Sequence, residues 1–265
     1  MHRILFSIGN FPIYSYGVCI ALGVLLGYIM VNARNKRLKI GKNEDISDLF
    51  LYMLIFGILG ARILYIFLHT NEYMSDPLSA FNLRAGGLSL YGSLIAGFCV
   101  LIYFSKKRKL DPFKVIDLFA PAVLLGIAVG RIGCFLNACC IGVEAPAPWG
   151  VVFADAGFTT PRYPAPLYEM VLDLIAMGFI LYSEKHKKFE GELMLSALCY
   201  YSVIRFIIEF FRDNHLDNLS DYGLSLAQYF CIAVVLFLSV LIFKARSKGS
   251  INILENETKK SVKKK

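Results

Sequence analysis

The chain predicts an all-α integral membrane protein of about seven transmembrane helices, with the N-terminus outside and the C-terminus in the cytoplasm. Three observations carry that fold class. The first is composition: of 265 residues, 57% are hydrophobic and 18% charged, mean hydropathy is +0.57, and no soluble-looking block of domain size interrupts the apolar segments. The second is length, because the apolar residues gather into stretches that each approach the roughly 20 residues a helix needs to cross about 30 Å of hydrocarbon. The third is where the charge lies. Four clusters, Arg34 to Lys42, Lys106 to Lys114, Lys185 to Lys188 and Lys244 to Lys265, hold 21 of the 28 Lys and Arg residues and occupy every second connection. Basic loops on alternate sides fix the orientation by the positive-inside pattern.

Taken in order, the spans are 14–32, 47–68, 86–104, 113–138, 166–182, 192–211 and 223–243. The first reads as structural, since no basic n-region, apolar h-region and small-residue cleavage site mark it for removal. The connections between the basic clusters hold only Arg3, Arg84, Arg162 and Arg212. One membrane domain therefore covers 1–243, and 244–265 reads as a basic, disordered cytoplasmic tail. The net charge of +8 points to membrane lipid headgroups and not to nucleic acid, because the charge is confined to loops flanking one face. Trp149, Tyr163 and Tyr222 in outer connections read as interfacial anchors. The 139–165 connection, the longest outer loop, either caps a site or is an ordinary structured link.

Arg62, Arg131, Arg205 and Glu209 interrupt apolar spans, where a charge costs at least roughly 2.5–3.5 kcal/mol at mid-helix unless it is paired or faces a wet cavity. Arg62 lies about 15 residues along an outward-running helix, Arg205 about 13 and Arg131 about 18, which places all three roughly 20–27 Å from the inner face. Tyr16, Tyr91 and Tyr168 begin inward-running helices near the outside. Six helices thus send a polar or charged group to one outer-leaflet layer.

In the sixth span, Tyr201, Arg205, Glu209 and Arg212 are spaced by four, four and three and form one helical stripe. Arg205 and Glu209 can be an internal ion pair that locks helices together. The other arginines at the same depth support a second use: one carboxylate against several guanidiniums leaves a positive excess, which suits an anionic ligand such as a phosphate held by planar, bidentate donors.

The fourth span ends in Gly130-Arg131-Ile132-Gly133-Cys134-Phe135-Leu136-Asn137, with Gly142 beyond. Glycines on either side of Arg131 permit close approach by a neighbouring helix or a ligand. This segment resembles the signature of the prolipoprotein diacylglyceryl transferase family, and the resemblance extends through Ser15-Tyr16-Gly17, Gly60-Ala61-Arg62, Gly86-Gly87 to Tyr91-Gly92, Pro161-Arg162-Tyr163-Pro164 to Leu167-Tyr168-Glu169, Arg205 to Arg212, and Ser225 to Gln228. It implies an enzyme of the bacterial cytoplasmic membrane with its active site toward the outer leaflet. Such enzymes move the diacylglyceryl group of phosphatidylglycerol to the lipobox cysteine thiol of a preprolipoprotein, forming a thioether. The resemblance implies no cofactor and assigns no metal. It gives Arg131 and Arg205 to phosphate recognition or activation, with Glu209 holding Arg205. Tyr16 and Tyr201 then position the headgroup, and Arg62, Asn137 and Arg212 complete the phosphatidylglycerol site.

The chain departs from the family pattern at several positions. Cys134 and Cys139 stand where Asn and an acid are common, Ala165 and Pro166 where Ser and Gln are usual. Tyr91 replaces a His that is a candidate to activate the thiol; a phenol, with an unperturbed pKa near 10, suits orienting a thiol better than deprotonating it. Cys19, Cys99, Cys199 and Cys231 read as small buried hydrophobes. Cys134, Cys139 and Cys140 cluster at the outer boundary, where they are inert, disulfide-bonded, metal-binding or chemically active; Cys134 with Cys139 or Cys140 is the feasible bond. His69 and His215 lie on the same side, and no spacing places either beside the cluster. Because the family's sulfur comes from the peptide, the three thiols are expected to be dispensable for turnover. Two rival functions stay open: a diverged paralogue acting on another lipid or acceptor, and a non-catalytic lipid-binding or transport protein.

Overall fold

A computed structural model describes residues 4–9, 11–70, 73, 86–146, 148–212 and 223–262. His2, Arg3, Asn71, Arg84, His215, Asn218 and Tyr222 lie outside these. The described chain is largely helical: α1 (Ser15–Leu38), α2 (Asn43–Leu68), α3 (Leu90–Lys107), α4 (Pro112–Leu136), α5 (Ala165–Ser183), α6 (Glu192–Glu209) and α7 (Leu226–Val262). Six of them are long and apolar enough to cross a membrane. The exception is α6, which has the length but carries Glu192, Arg205 and Glu209. The outward faces of the six are apolar, with Phe67, Phe179, Phe230 and Phe243 each more than half exposed, as lipid contact requires.

Two short antiparallel strand pairs add to the helical fold that the sequence predicts. Strands β1 (Ile4–Ile8) and β2 (Phe11–Tyr14) pair antiparallel ahead of α1, and β3 (Val151–Val152) pairs with β4 (Pro161–Arg162) inside the long loop. At the other end, α7 continues as helix to Val262, across the segment whose composition predicts a disordered tail.

By internal contacts the chain forms two compact units, 1–29 with 119–265, and 30–118, so that α1 and α4 each contribute to both. In the unit 30–118, α2 and α3 pack backbone to backbone. A Cβ added at Gly60 would collide with Ala96 and the Gly92 carbonyl, and one at Gly92 with the Gly60 carbonyl. Small residues at such a crossing let two helices associate where no hydrophobic drive separates helix from lipid. The start of α3 is fixed by Gly86 and Gly87, whose φ values of +87° and +78° cannot continue a helix, so α3 begins at Leu90 and not at 86. Arg34, read as the start of a basic loop cluster facing lipid headgroups, is buried: its Nη1 donates to the carbonyls of Asp117 (3.0 Å) and Leu118.

In the other unit a core of Ala120, Leu124, Ala176, Ile180, Ala197, Ile204 and Ile208 joins α4, α5 and α6. The last helix opens on a capping box, with Ser225 N donating to Gln228 Oε1 (2.9 Å) and Gln228 N to Ser225 Oγ (3.3 Å). The described residues of the loop from 137 to 164 are tied down by hydrogen bonds. Gly142 N donates to Tyr163 O (2.9 Å) and Val143 N to Phe211 O (3.0 Å), tying the end of α4 to the start of α5 and the end of α6. Only glycine fits at 142, where a Cβ would meet the Phe211 carbonyl and Tyr163.

Candidate functional site

Within the unit 1–29 with 119–265, α4 delivers Arg131, and α1 comes close beside it. A Cβ on Gly133 would lie 3.0 Å from the Cys19 Cβ and 3.1 Å from the Tyr16 ring. The flanking glycines thus do what their spacing predicts, and the Arg131 charge acts on Tyr16. Arg131 Nη2 lies 2.5 Å from Glu169 Oε1 on α5, a carboxylate that is 2% exposed. One turn further along α5 is Asp173, fully buried and within the fields of Glu169 and Arg131. Neither Asp173 carboxyl oxygen has a hydrogen-bond partner among the described residues. Native structures rarely leave such a group idle.

The third wall is α6. Arg205 Nη2 is 2.8 Å from Glu209 Oε2, Arg212 Nε is 3.9 Å from the same oxygen, and Ser225 Oγ donates to Glu209 Oε1 at 3.4 Å. The Arg205–Glu209 contact is an ion pair by distance without hydrogen-bond alignment. Glu209 Oε2 accepts no hydrogen bond, and the buried Arg205 Nη1 donates none, among the described residues. Arg131 and Arg205 both act on Glu169 and Tyr201, so the three helices share one electrostatic neighbourhood.

This geometry corrects the charge count read from the sequence. Arg131, Arg205 and Arg212 face three carboxyls, Glu169, Asp173 and Glu209, and not one. Spare capacity for an anion lies in direction more than in net charge: Arg205 keeps an unused donor in a buried place, where charge-assisted hydrogen bonds are strong. Glu169 and Asp173 were findable, since both are acids spaced by four within an apolar span, the same signal that singles out the arginines.

Asn137 follows α4, with its N donating to Gly133 O at 3.0 Å, and its side chain reaches the Cys139 thiol. All seven cysteines are free. Cys99 is exposed, so it is not the buried hydrophobe its span suggests. The Sγ atoms of Cys134, Cys139 and Cys140 all lie within 4.8 Å of one another. Hydrogen bonds from Cys134 and then Cys139, reinforced by Arg212 and Arg131, push the Cys140 thiol well below its ordinary range. Beside the charged cluster runs an apolar groove of about 550 Å³, lined by Trp149, Tyr163, Tyr168, Leu172, Ile208 and Phe211 among others. Tyr168, Ile208 and Phe211 are the immediate chain neighbours of Glu169, Glu209 and Arg212.

Two expected site residues belong to the unit 30–118. Arg62, 6% exposed, donates from Nη1 to the carbonyls of Gly86 (2.6 Å) and Gly87 (3.0 Å) and stacks over Tyr73 at 5.4 Å. Tyr91 is 73% exposed at the start of α3. His69 is engaged locally, stacked on Tyr65 at 4.1 Å with Nδ1 3.0 Å from the Tyr65 carbonyl.

Part-buried guanidiniums and buried carboxyls, beside an apolar groove, define a multi-pass membrane protein with a charged site among its helices. The chain belongs to the prolipoprotein diacylglyceryl transferase family, whose model matches residues 3–244. It is 32% identical over 240 residues to the phosphatidylglycerol–prolipoprotein diacylglyceryl transferase of Clostridium tetani, covering 89% of this chain and 94% of that one. The Bordetella bronchiseptica enzyme of the same name is 35% identical over 239 residues, 86% and 89% of the two chains. The Pseudoalteromonas atlantica enzyme is 36% identical over 233 residues, 85% and 82%. The chain is accordingly a membrane protein of a transferase family in lipoprotein biosynthesis.

Proposed function

We propose that the chain transfers the diacylglyceryl group of phosphatidylglycerol to the lipobox cysteine thiol of a preprolipoprotein, forming a thioether and releasing glycerol phosphate. The observation that carries this reading is the buried, unused Nη1 donor of Arg205 beside the Arg131–Glu169 pair. A phosphodiester is the ligand such donors suit, and the groove along Tyr168 and Phe211 suits acyl chains. In the reaction the acceptor's thiolate attacks the glycerol carbon that bears the phosphate oxygen. The C–S bond forms as the C–O bond breaks, and the electron pair leaves on the phosphate oxygen, where Arg131 and Arg205 stabilise the developing charge. Glu209 holds Arg205, while Tyr16, Tyr201, Asn137, Arg62 and Arg212 position the headgroup.

Tyr91 orients the acceptor, and Asp173, with both oxygens free of hydrogen bonds among the described residues, takes the thiol proton. Asp173→Asn should lower kcat by about a hundredfold or more, the usual weight of a general base. Single-turnover assays on folded variant decide it, and unchanged kcat removes Asp173 from the reaction.

The seven helices cross the bacterial cytoplasmic membrane with the N-terminus outside. The 1–243 segment is the transferase domain, and 244–265 is a cytoplasmic tail. The alternating basic loops support this topology. Reporter fusions after Lys42, Lys109 and Lys188 should read cytoplasmic, and fusions near Asn71, Trp149 and Asn218 external. A cytoplasmic reading at Trp149 overturns the outer-leaflet site. The thiol cluster favours a second reading, a diverged paralogue that uses the same pocket for another headgroup or acceptor; lipid and acceptor competition in the transfer assay separates the two.

A further inference from the structure

Cys134, Cys139 and Cys140 are three thiols brought to one point by a backbone that takes two unusual turns to do so. The α4 helix ends at Leu136, and Ala138 and Cys140, neither of them glycine, take φ values of +50° and +57°. Residues with a Cβ rarely occupy that region. Cys139 N donates to Cys134 O at 3.0 Å, and the loop beyond is held by Gly142 and Val143 on Tyr163 and Phe211. The thiols are therefore fixed from both sides. They grade outward, Cys134 buried, Cys139 intermediate and Cys140 exposed.

A disulfide, Cys134 with Cys139 or with Cys140, cannot take up the whole cluster. Three thiols leave one over, and the adjacent Cys139 and Cys140 pair poorly in the S–S geometry. The cluster does fit a metal ion. With metal–sulfur bonds of about 2.3 Å, ligand sulfurs in a three-thiolate site stand roughly 4 Å apart. All three Sγ atoms already lie within 4.8 Å of one another, so closing to that spacing takes a shift of less than about an ångström at each sulfur, within one rotamer well. We propose that Cys134, Cys139 and Cys140 bind one thiophilic d¹⁰ cation, Zn(II) or Cu(I), as a three-thiolate site.

Soft thiolate donors select this class of ion over Mg(II) or Ca(II), which want oxygen. Among the described residues the group has three members, which suits trigonal Cu(I) directly and leaves Zn(II) a fourth position for water or an incoming thiol. That position opens on the exposed side, at Cys140. Cys134 lies three residues beyond Arg131 on the same face of α4, so an ion here clamps the helix end that carries Arg131 to the outer loop. The site is built from these three thiols and uses none of the residues given to the transfer reaction proposed above.

The test uses full-length protein purified in detergent under anaerobic, reducing conditions, exposed to Zn(II) or to Cu(I), then desalted. Wild type should retain one ion per chain, and Cys134→Ser/Cys139→Ser/Cys140→Ser essentially none. The single exposed variant Cys140→Ser should bind more weakly by at least about tenfold. The arm that retains metal identifies the ion, and Co(II) loading should give sulfur-to-metal charge-transfer absorption. Should the triple variant not fold, wild type alone decides: the bound ion should slow maleimide alkylation of these three cysteines and leave Cys99 unaffected. Equal metal content in wild type and triple variant, or alkylation unchanged by either ion, overturns the site.

Discussion

Replacing Arg131 or Arg205 with lysine should lower transfer by about a hundredfold or more while folded membrane protein persists. The charge survives this change, but the planar fork does not, and a lost donor to a developing oxyanion costs about that much. The two sites should fail differently. Arg131 has its Nη2 on Glu169 at 2.5 Å, so Arg131→Lys also strands a carboxylate that is 2% exposed. Arg205 has a second amino group with no hydrogen-bond partner among the described residues, so Arg205→Lys removes ligand contact more than internal support. Glu209→Gln should be milder than either if Glu209 only steadies Arg205, whose Nη2 is 2.8 Å away. Rates with saturating lipid, alongside gel-filtration profiles of each variant, measure this. Near-normal turnover in both lysine variants assigns the arginines to helix packing alone.

Gly92→Val should cost the fold about 2–3 kcal/mol, the range for overpacking a tight contact, and so lower Tm in detergent markedly. A Cβ at 92 would run into the Gly60 carbonyl and lie 2.8 Å from the Leu64 Cβ. Backbone cannot step aside as a side-chain tip can. The damage should spread to Arg62, because its carbonyl partners at Gly86 and Gly87 precede α3 by only a few residues, and Ser89 N donates to Ala61 O at 3.0 Å. Gly97→Ala, on the same helix with open space around the added methyl, is the control and should leave Tm within about a degree or raise it slightly. Equal stability of Gly92→Val and wild type contradicts the close α2–α3 crossing.

The helices were legible because a long apolar run has few alternatives, and the positions of their charges could be counted directly along 1.5 Å steps. The β1–β2 hairpin was not. Residues 4–14 read as a short apolar run that periodicity alone does not assign, and the hairpin shows only when Ile8 meets Phe11 across the turn. Of the α6 stripe, Tyr201, Arg205 and Glu209 share a helix face because residues four apart must do so, whereas Arg212 lies beyond the helix end at Glu209, in a bridge with Gly142. The Arg131–Glu169 pair joins residues 38 apart, and Arg62 with Gly86 joins residues 24 apart, so neither pairing is a property of spacing. Asp173 is a plainer omission, for it carried the same signal as the arginines, an unexplained charge in an apolar span. Arg34 misled in the opposite sense. It stands in a basic run that reads as a loop at the lipid headgroups, yet it is buried against the carbonyls of Asp117 and Leu118.

The transfer reaction itself is read by incubating purified protein with phosphatidylglycerol and a lipobox peptide and then weighing the peptide. The peptide should become heavier by one diacylglyceryl group held through a base-stable thioether, with free glycerol phosphate in equal amount and both products reduced about a hundredfold or more in Arg205→Lys. A peptide of unchanged mass, from protein that is folded and demonstrably binds the lipid, would contradict the proposed transfer.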